Sequence, residues 1–248
     1  MLTEPLLEVE NLKVAFRDHV VLSGLSFQIS GGEVVSVIGR SGSGKTVLLR
    51  TLAGLLHPQT GHIKFHFKNK NAVPIGFAFQ KSPLIPWLSV QENLNLCVHN
   101  ETDRLHSQKL LKNVGLASFK NHSPQDISGG MAQKVNLLRA LSNRSELILM
   151  DEPFGSLDGF QRTELQQFTH DTCRNFDRGL VLITHDIDEA ILLSDRIFIL
   201  NSKSGMFSHQ IPVNIIKPKI LVEMRSNTKY NQLYQQVLKS LNETETIN

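Results

Sequence analysis

Cysteine is almost missing from this 248-residue chain: Cys97 and Cys173 are the only two, far apart and outside any metal-ligand spacing. That excludes a disulfide framework and a cysteine-built zinc site, and it fits a reducing, cytosolic setting. Long apolar runs are missing as well. No stretch approaches the ~20 apolar residues that cross a bilayer, so any work at a membrane requires the membrane part to come from another chain. The N-terminus carries Glu4, Pro5, Glu8 and Glu10 instead of a basic region followed by an apolar one, so no signal peptide is expected. A charge excess of one sign is also lacking. The net charge of +3 is too small to hold a polyanion, and no nucleic-acid partner is expected. Internal repeats and low-complexity tracts are absent. What remains, 40% hydrophobic and 20% charged, is ordinary for a soluble globular protein. The length suffices for one large domain, or for a core with a subdomain.

The pattern along the chain changes period several times. Alternation in Leu7-Glu8-Val9, in Leu12 to Phe16, and at Leu25, Phe27 and Ile29, punctuated by Asp18-His19, Gly24, Gly31 and Gly32, predicts antiparallel β structure. His62 to Phe67 alternates again after the turn Pro58-Gln59-Thr60-Gly61. Short apolar runs at Val34–Ile38, Ile75–Phe79, Leu147–Met150, Leu180–Thr184 and Ile197–Leu200 are separated by helical patterns, which predicts a parallel sheet. From Pro83 to about Ala140 the pattern is helical, so a helical block is inserted between strands of that sheet. After about residue 201 the chain turns basic and reads as solvated tail surface. Within the tail, Tyr230, Leu233, Tyr234, Val237, Leu238 and Leu241 fall at helical spacing, and this helix either docks on its own core or meets a partner.

The strongest chemical signal is Gly39-Arg40-Ser41-Gly42-Ser43-Gly44-Lys45-Thr46, which meets the phosphate-loop pattern G-x-x-x-x-G-K-[ST] in full between a strand-like and a helix-like run. Glycines let successive N–H groups turn inward on phosphate oxygens, and the helix N-terminus adds partial positive charge. Lys45 is then placed for the terminal phosphates and Thr46 for Mg²⁺. The apolar run ending in Met150 delivers Asp151 and Glu152 at the carboxyl end of a parallel strand, where ligands of such sheets bind. Asp151 suits Mg²⁺, directly or through water. Glu152 points to the other side and suits polarising an attacking water. A second glycine-bearing helix start, Ser128-Gly129-Gly130, repeats the anion-binding device, and a second one per chain points to a shared site.

Together these residues make the chain resemble an ATP-binding cassette (ABC) subunit, whose signature Leu-Ser-Gly-Gly-Gln opens a helix and reads here Ile127-Ser128-Gly129-Gly130-Met131. The remaining family motifs follow in order. Gln80 matches the glutamine that senses Mg²⁺ and the attacking water, and Ser156-Leu157-Asp158 matches the loop that crosses the dimer interface. His185, in Thr184-His185-Asp186, matches the switch histidine that holds the γ-phosphate. Phe16 stands where the family stacks an aromatic on adenine, although its alternation with Leu12 and Val14 fits a core role too. The resemblance runs over roughly residues 6 to 200. Met131, Lys134 and Phe16 depart from the usual glutamine, arginine and tyrosine, but the Ser/Gly/Gly backbone cradle stays intact.

The resemblance implies an α/β P-loop NTPase core with a parallel sheet, an antiparallel β subdomain and an inserted α-helical subdomain. The ATPase domain would span residues 1–210, with the helical subdomain at about 83–145 and a tail at 211–248. It also implies hydrolysis of ATP with Mg²⁺ by two cassettes closed head to tail, most simply a homodimer, driving transmembrane permease subunits at the cytoplasmic face of the inner membrane. A solute-binding protein would act indirectly. The segments Phe79 to Asn93 and Thr184 to Ala190 resemble the nitrate, sulfonate and taurine importer group. In Pro83-Leu84-Ile85-Pro86-Trp87, Leu84 and Trp87 either line the groove that receives a permease helix or belong to the core. Export or lipid transport, or a soluble non-transport ABC ATPase, are the other readings. The latter would usually show a coiled-coil insertion or a second cassette, and neither is seen. A purely regulatory nucleotide-binding module would lack Glu152 or His185.

Overall fold

This computed structural model describes residues 5–68, 75–81, 84–143, 145–216 and 221–246, and the described residues form two β-sheets and seven α-helices. The expected start of the helical insertion at Pro83 and the tail lysines Lys217 and Lys219 lie outside the described residues. Strands β1 (Pro5–Phe16) and β2 (His19–Ser30) form a long antiparallel hairpin, and β4 (Thr60–Phe65) pairs with the other edge of β1. The larger sheet comprises β3 (Val34–Ile38), β5 (Ile75–Ala78), β6 (Leu147–Asp151), β7 (Gly179–Ile183), β8 (Arg196–Leu200) and β9 (Phe207–Pro212). Its order is β5-β6-β7-β3-β8-β9, parallel except for the β8–β9 edge.

Strands β3, β6 and β7 are buried at every position, which explains why they read as continuous apolar runs instead of alternating ones. Alternation sends Val34, Ile148, Leu180 and Ile197 to one face, under the helices α2 (Val90–Asn95), α3 (Glu101–Asn113), α4 (Gly129–Ser142), α5 (Gly159–Asn175) and α6 (Ile187–Leu193). It sends Val35, Leu149, Val181 and Phe198 to the other, against α1 (Lys45–Leu52) and the antiparallel sheet. Each fully buried Leu or Ile in these layers contributes about 1.5–3 kcal/mol. Helix α4 lies directly on the backbone of β5: a Cβ at Gly76 would come within 2.2 Å of the Ala140 carbonyl oxygen.

The inserted block between β5 and β6 is helical, as expected. The chain after residue 201 is not the solvated tail that its basic composition predicts. Phe207 stacks on Phe198 with ring centroids 4.6 Å apart, and Ile211 and Val213 are buried, so β9 is a sixth strand that runs across the boundary drawn at residue 210. Helix α7 (Thr228–Thr246) buries Tyr230, Leu233 and Val237 in the helical-face core, packing on α6, so its apolar stripe docks on its own domain. Among the described residues no helix is long and apolar enough to cross a membrane.

Candidate functional site

Parallel register decides which loops meet. Val37 of β3 and Asp151 of β6 both pair with Ile183 of β7, and Ala78 of β5 pairs with Met150. The carboxyl ends of four adjacent strands therefore lie level, and the segments leaving them hold Gly39–Thr46, Asp151-Glu152, Thr184-His185 and Gln80. Residues far apart in sequence become neighbours at one edge of the sheet. They surround a cavity of about 550 Å³ lined by Val21, Ser41 to Val47, Gln80, Glu152 and His185.

The loop between β3 and α1 closes on itself. Lys45 Nζ donates to the carbonyls of Gly39 and Arg40, both at 2.8 Å, so its ammonium arches over the loop interior. Gly44 has φ 97°, and a Cβ there would lie 2.8 Å from the Val21 side chain, so only glycine lets the loop tuck against β2. The Ser43 hydroxyl is buried without a hydrogen-bond partner among the described residues. An unsatisfied buried donor in a glycine-rich loop before a helix start fits an anionic oxygen.

Across from the loop, Thr46 Oγ1 donates to Asp151 Oδ1 at 3.3 Å. Glu152 turns away from Asp151 and collects two partners: Gln80 Nε2 donates to its Oε2 at 3.0 Å, and His185 Nδ1 meets its Oε1 at 3.1 Å. Asp151 and Lys45 are both nearly buried. Burial pushes the Asp151 carboxyl above its ordinary value despite the Thr46 hydrogen bond and the nearby Arg50 and Lys45 charges, and Glu152 adds to that push. Burial likewise pulls the Lys45 ammonium down, against the opposing pull of Glu152 and Asp151.

Other residues expected at the site stand apart. Ser128 is the N-cap of α4 and accepts from the Met131 N–H at 3.2 Å; neither it, Gly129 nor Gly130 lines the cavity. Phe16 also lies outside the lining, and at 48% exposed it is not a core residue. Leu84 packs inward on the helical-face core, whereas Trp87 stands 80% exposed. Beside them a separate groove of about 490 Å³ is lined by Phe77, Phe79, Ile85, Leu96 and Arg139, among others. Sequence reasoning missed Val21, which walls the cavity, and Asn136, whose Nδ2 donates to the Phe79 carbonyl at 2.7 Å and ties α4 to the segment carrying Gln80. Val21 sits in an ordinary strand pattern and Asn136 in an ordinary helix, so neither carried a signal.

Known proteins resemble this chain over most of its length. An aliphatic sulfonates import ATP-binding protein of Pseudomonas syringae pv. tomato is 38% identical over 83% of this chain and 86% of its own length. One of Bacillus subtilis is 33% identical over 93% of this chain and 91% of its own. Among solved structures, a dimeric bacterial ABC transporter cassette superposes with a TM-score of 0.75 at 28% identity, over 85% of this chain and all of that one. A dimeric post-hydrolysis state of an ATP-binding cassette bound to ADP and phosphate gives 0.73 at 27%, with the same coverage. The ABC transporter family model matches residues 22–155, from early in β2 through the phosphate loop, the signature helix and Glu152. With that match and these relatives covering most of its length, the chain belongs to the ABC transporter family as an ATP-hydrolysing cassette.

Proposed function

We propose that this cassette is the energy-coupling subunit of an importer whose cargo is an aliphatic sulfonate. The observation that carries this reading is that relatives from Pseudomonas, Bacillus and Granulibacter, 33–38% identical over most of both chains, bear the name aliphatic sulfonates import ATP-binding protein. In this reading the subunit sits on the inner, cytoplasmic face of the membrane, bound to permease subunits, with a solute-binding protein acting on the far side.

In this reading the site residues divide the work among them. The loop Gly39–Thr46 binds the nucleotide phosphates, with Lys45 released from the Gly39 and Arg40 carbonyls to the terminal ones. Phe16, exposed at the end of β1, stacks on the base. Thr46, Asp151 and Gln80 would hold Mg²⁺. Among the described residues no group of three His, Cys, Asp or Glu side chains could hold a metal alone, and Mg²⁺ is commonly held by one or two protein oxygens together with phosphates and waters. When bound it would neutralise charge on the phosphates. Glu152 accepts a proton from the attacking water, Gln80 orients that water, and His185 holds the γ-phosphate. Phosphoryl transfer asks for such positioning and charge compensation more than for covalent chemistry. Ser128, Gly129 and Gly130 complete the site of a second copy. The apolar groove beside Phe79 and Leu96, with Trp87 at the surface nearby, receives the permease.

Deleting the gene for this chain should abolish uptake of a short alkanesulfonate while sparing sulfate uptake. Unchanged alkanesulfonate uptake would rule out the cargo and leave the ATPase assignment standing.

A further inference from the structure

His185 is exposed, and its imidazole meets the Glu152 carboxylate. Its two sequence neighbours, by contrast, are gripped from α5. On one side, the buried Thr184 hydroxyl donates to Glu189 Oε2 at 2.6 Å, and Glu189 Oε1 accepts from Gln166 Nε2 of α5 at 3.3 Å. The same Thr184 oxygen accepts from the Asp186 N–H at 3.0 Å. On the other side, Asp186 caps α6 with Oδ1, accepting from the Asp188 and Glu189 N–H groups at 2.8 and 3.2 Å, while its Oδ2 lies 3.5 Å from Arg162 Nη1 of α5. Arg162 also donates from Nη2 to the Leu157 carbonyl at 3.2 Å, inside the Ser156-Leu157-Asp158 loop. One guanidinium thus touches both the loop that carries the histidine and the loop expected to face a second copy.

A side chain exposed to solvent takes its direction from the backbone that bears it, and that backbone is only as well placed as the groups bonded to it. Glu189 is a carboxylate buried to 4% exposure, which is a costly group to keep unless its hydrogen bonds serve something. We propose that Arg162 and Glu189 are positioning residues for ATP hydrolysis: by holding Asp186 and Thr184, on either side of His185, they aim its imidazole. Arg162 further ties that aim to the Ser156–Asp158 loop, so a shift of this loop on closure of two copies is felt at His185. The inference rests on the role given to His185 above.

The test is a set of double-mutant cycles on the purified full chain, reading kcat, the KM for ATP and thermal stability. Arg162→Ala and Thr184→Val should each lower kcat about tenfold with KM changed less than about twofold, and should have no further effect in a His185→Ala background. Thr184→Ser, which keeps the hydroxyl, should restore kcat. If Arg162→Ala fails to fold, the nearly isosteric Thr184→Val and its Ser counterpart carry the test. Equal losses with and without His185 would overturn the proposal, because the residues would then act on folding or on another part of the site. A rise in KM at unchanged kcat would overturn it too. Near-normal kcat in His185→Ala alone would remove the role of His185, and the proposal with it.

Discussion

Glu152 leaves the end of β6 with φ 45°, in the left-handed region that a non-glycine residue enters at a cost of about 1–2 kcal/mol. The bond from its N–H to the Ile183 carbonyl, at 2.9 Å, helps hold that turn, and the turn swings its carboxylate away from Asp151 toward Gln80 and His185. Strain of this kind persists where the surrounding structure overrides it, commonly at active sites. Glu152→Gln should therefore keep ATP affinity, because neither the phosphate loop nor Asp151 is touched, while lowering turnover by ~10²–10⁴-fold. Steady-state ATPase kinetics alongside equilibrium nucleotide binding check it, and near-normal turnover would remove the general-base assignment. The individual residues were largely legible in the sequence, since Gly39–Thr46 and Asp151-Glu152 are contiguous motifs whose chemistry follows from residue type and spacing. Their meeting was not: Gln80, Glu152 and His185 belong to three different strand ends, and only the pairing of β5, β6 and β7 brings them within hydrogen-bond distance. Position 21 was illegible for a different reason, because a valine that walls a cavity looks like any other strand valine.

Helix α6 receives the His185 segment at its start and two tail elements along its side, so the elements around it decide how firmly the segment is held. Tyr230 of α7 donates to Asp188, and Arg225 lies 3.6 Å from the same carboxylate. Glu189, in the same turn, carries a carboxyl pushed above its ordinary value of 4.5 by burial, with Asp186 adding to the push; the Thr184 and Gln166 hydrogen bonds and Arg162 oppose it. A raised carboxyl binds more protons folded than unfolded, so its contribution to stability falls as pH rises from the unfolded value through the folded one. Glu189→Gln removes that titration. Its melting temperature relative to the wild-type protein should therefore climb as pH is raised from about 4 toward neutrality, and a difference that stays flat or shrinks over that range would contradict the stated burial. Strands buried on both faces and the long amphipathic stretches were readable from apolar patterning. Strand β9 was not, because an edge strand exposes alternate residues and Phe207-Ser208-His209-Gln210 offers little apolar contrast until Phe207 meets the aromatic pair Phe27 and Phe198. The stripe on α7 was visible, whereas its partner became known only when α6 was in place.

In the proposed reading, a single copy of the molecule carries both halves of an ATP site without joining them. The phosphate loop, Glu152 and His185 share one cavity, and Ser128-Gly129-Gly130 lies outside its lining. Two glycine-bearing helix starts suited to one nucleotide, held apart in one chain, make sense if each cavity is finished by the signature helix of a second copy. The order of the motifs already raised this proposed arrangement at the level of sequence, while the identity of the permease and its cargo left no readable motif among the site residues. The measurement that bears most directly on the shared site is ATPase complementation between two disabled chains, Lys45→Ala and Ser128→Arg. Each should be inactive alone. A dimer of the two would hold one cavity with both defects and one with neither, so mixing them should restore hydrolysis, whereas a wild-type chain mixed with a doubly substituted one should yield little activity from the mixed dimer. The opposite pattern, with no activity in the complementing pair and activity in the wild-type and doubly substituted mixed dimer, would show that each chain hydrolyses ATP with its own signature and would contradict the shared site.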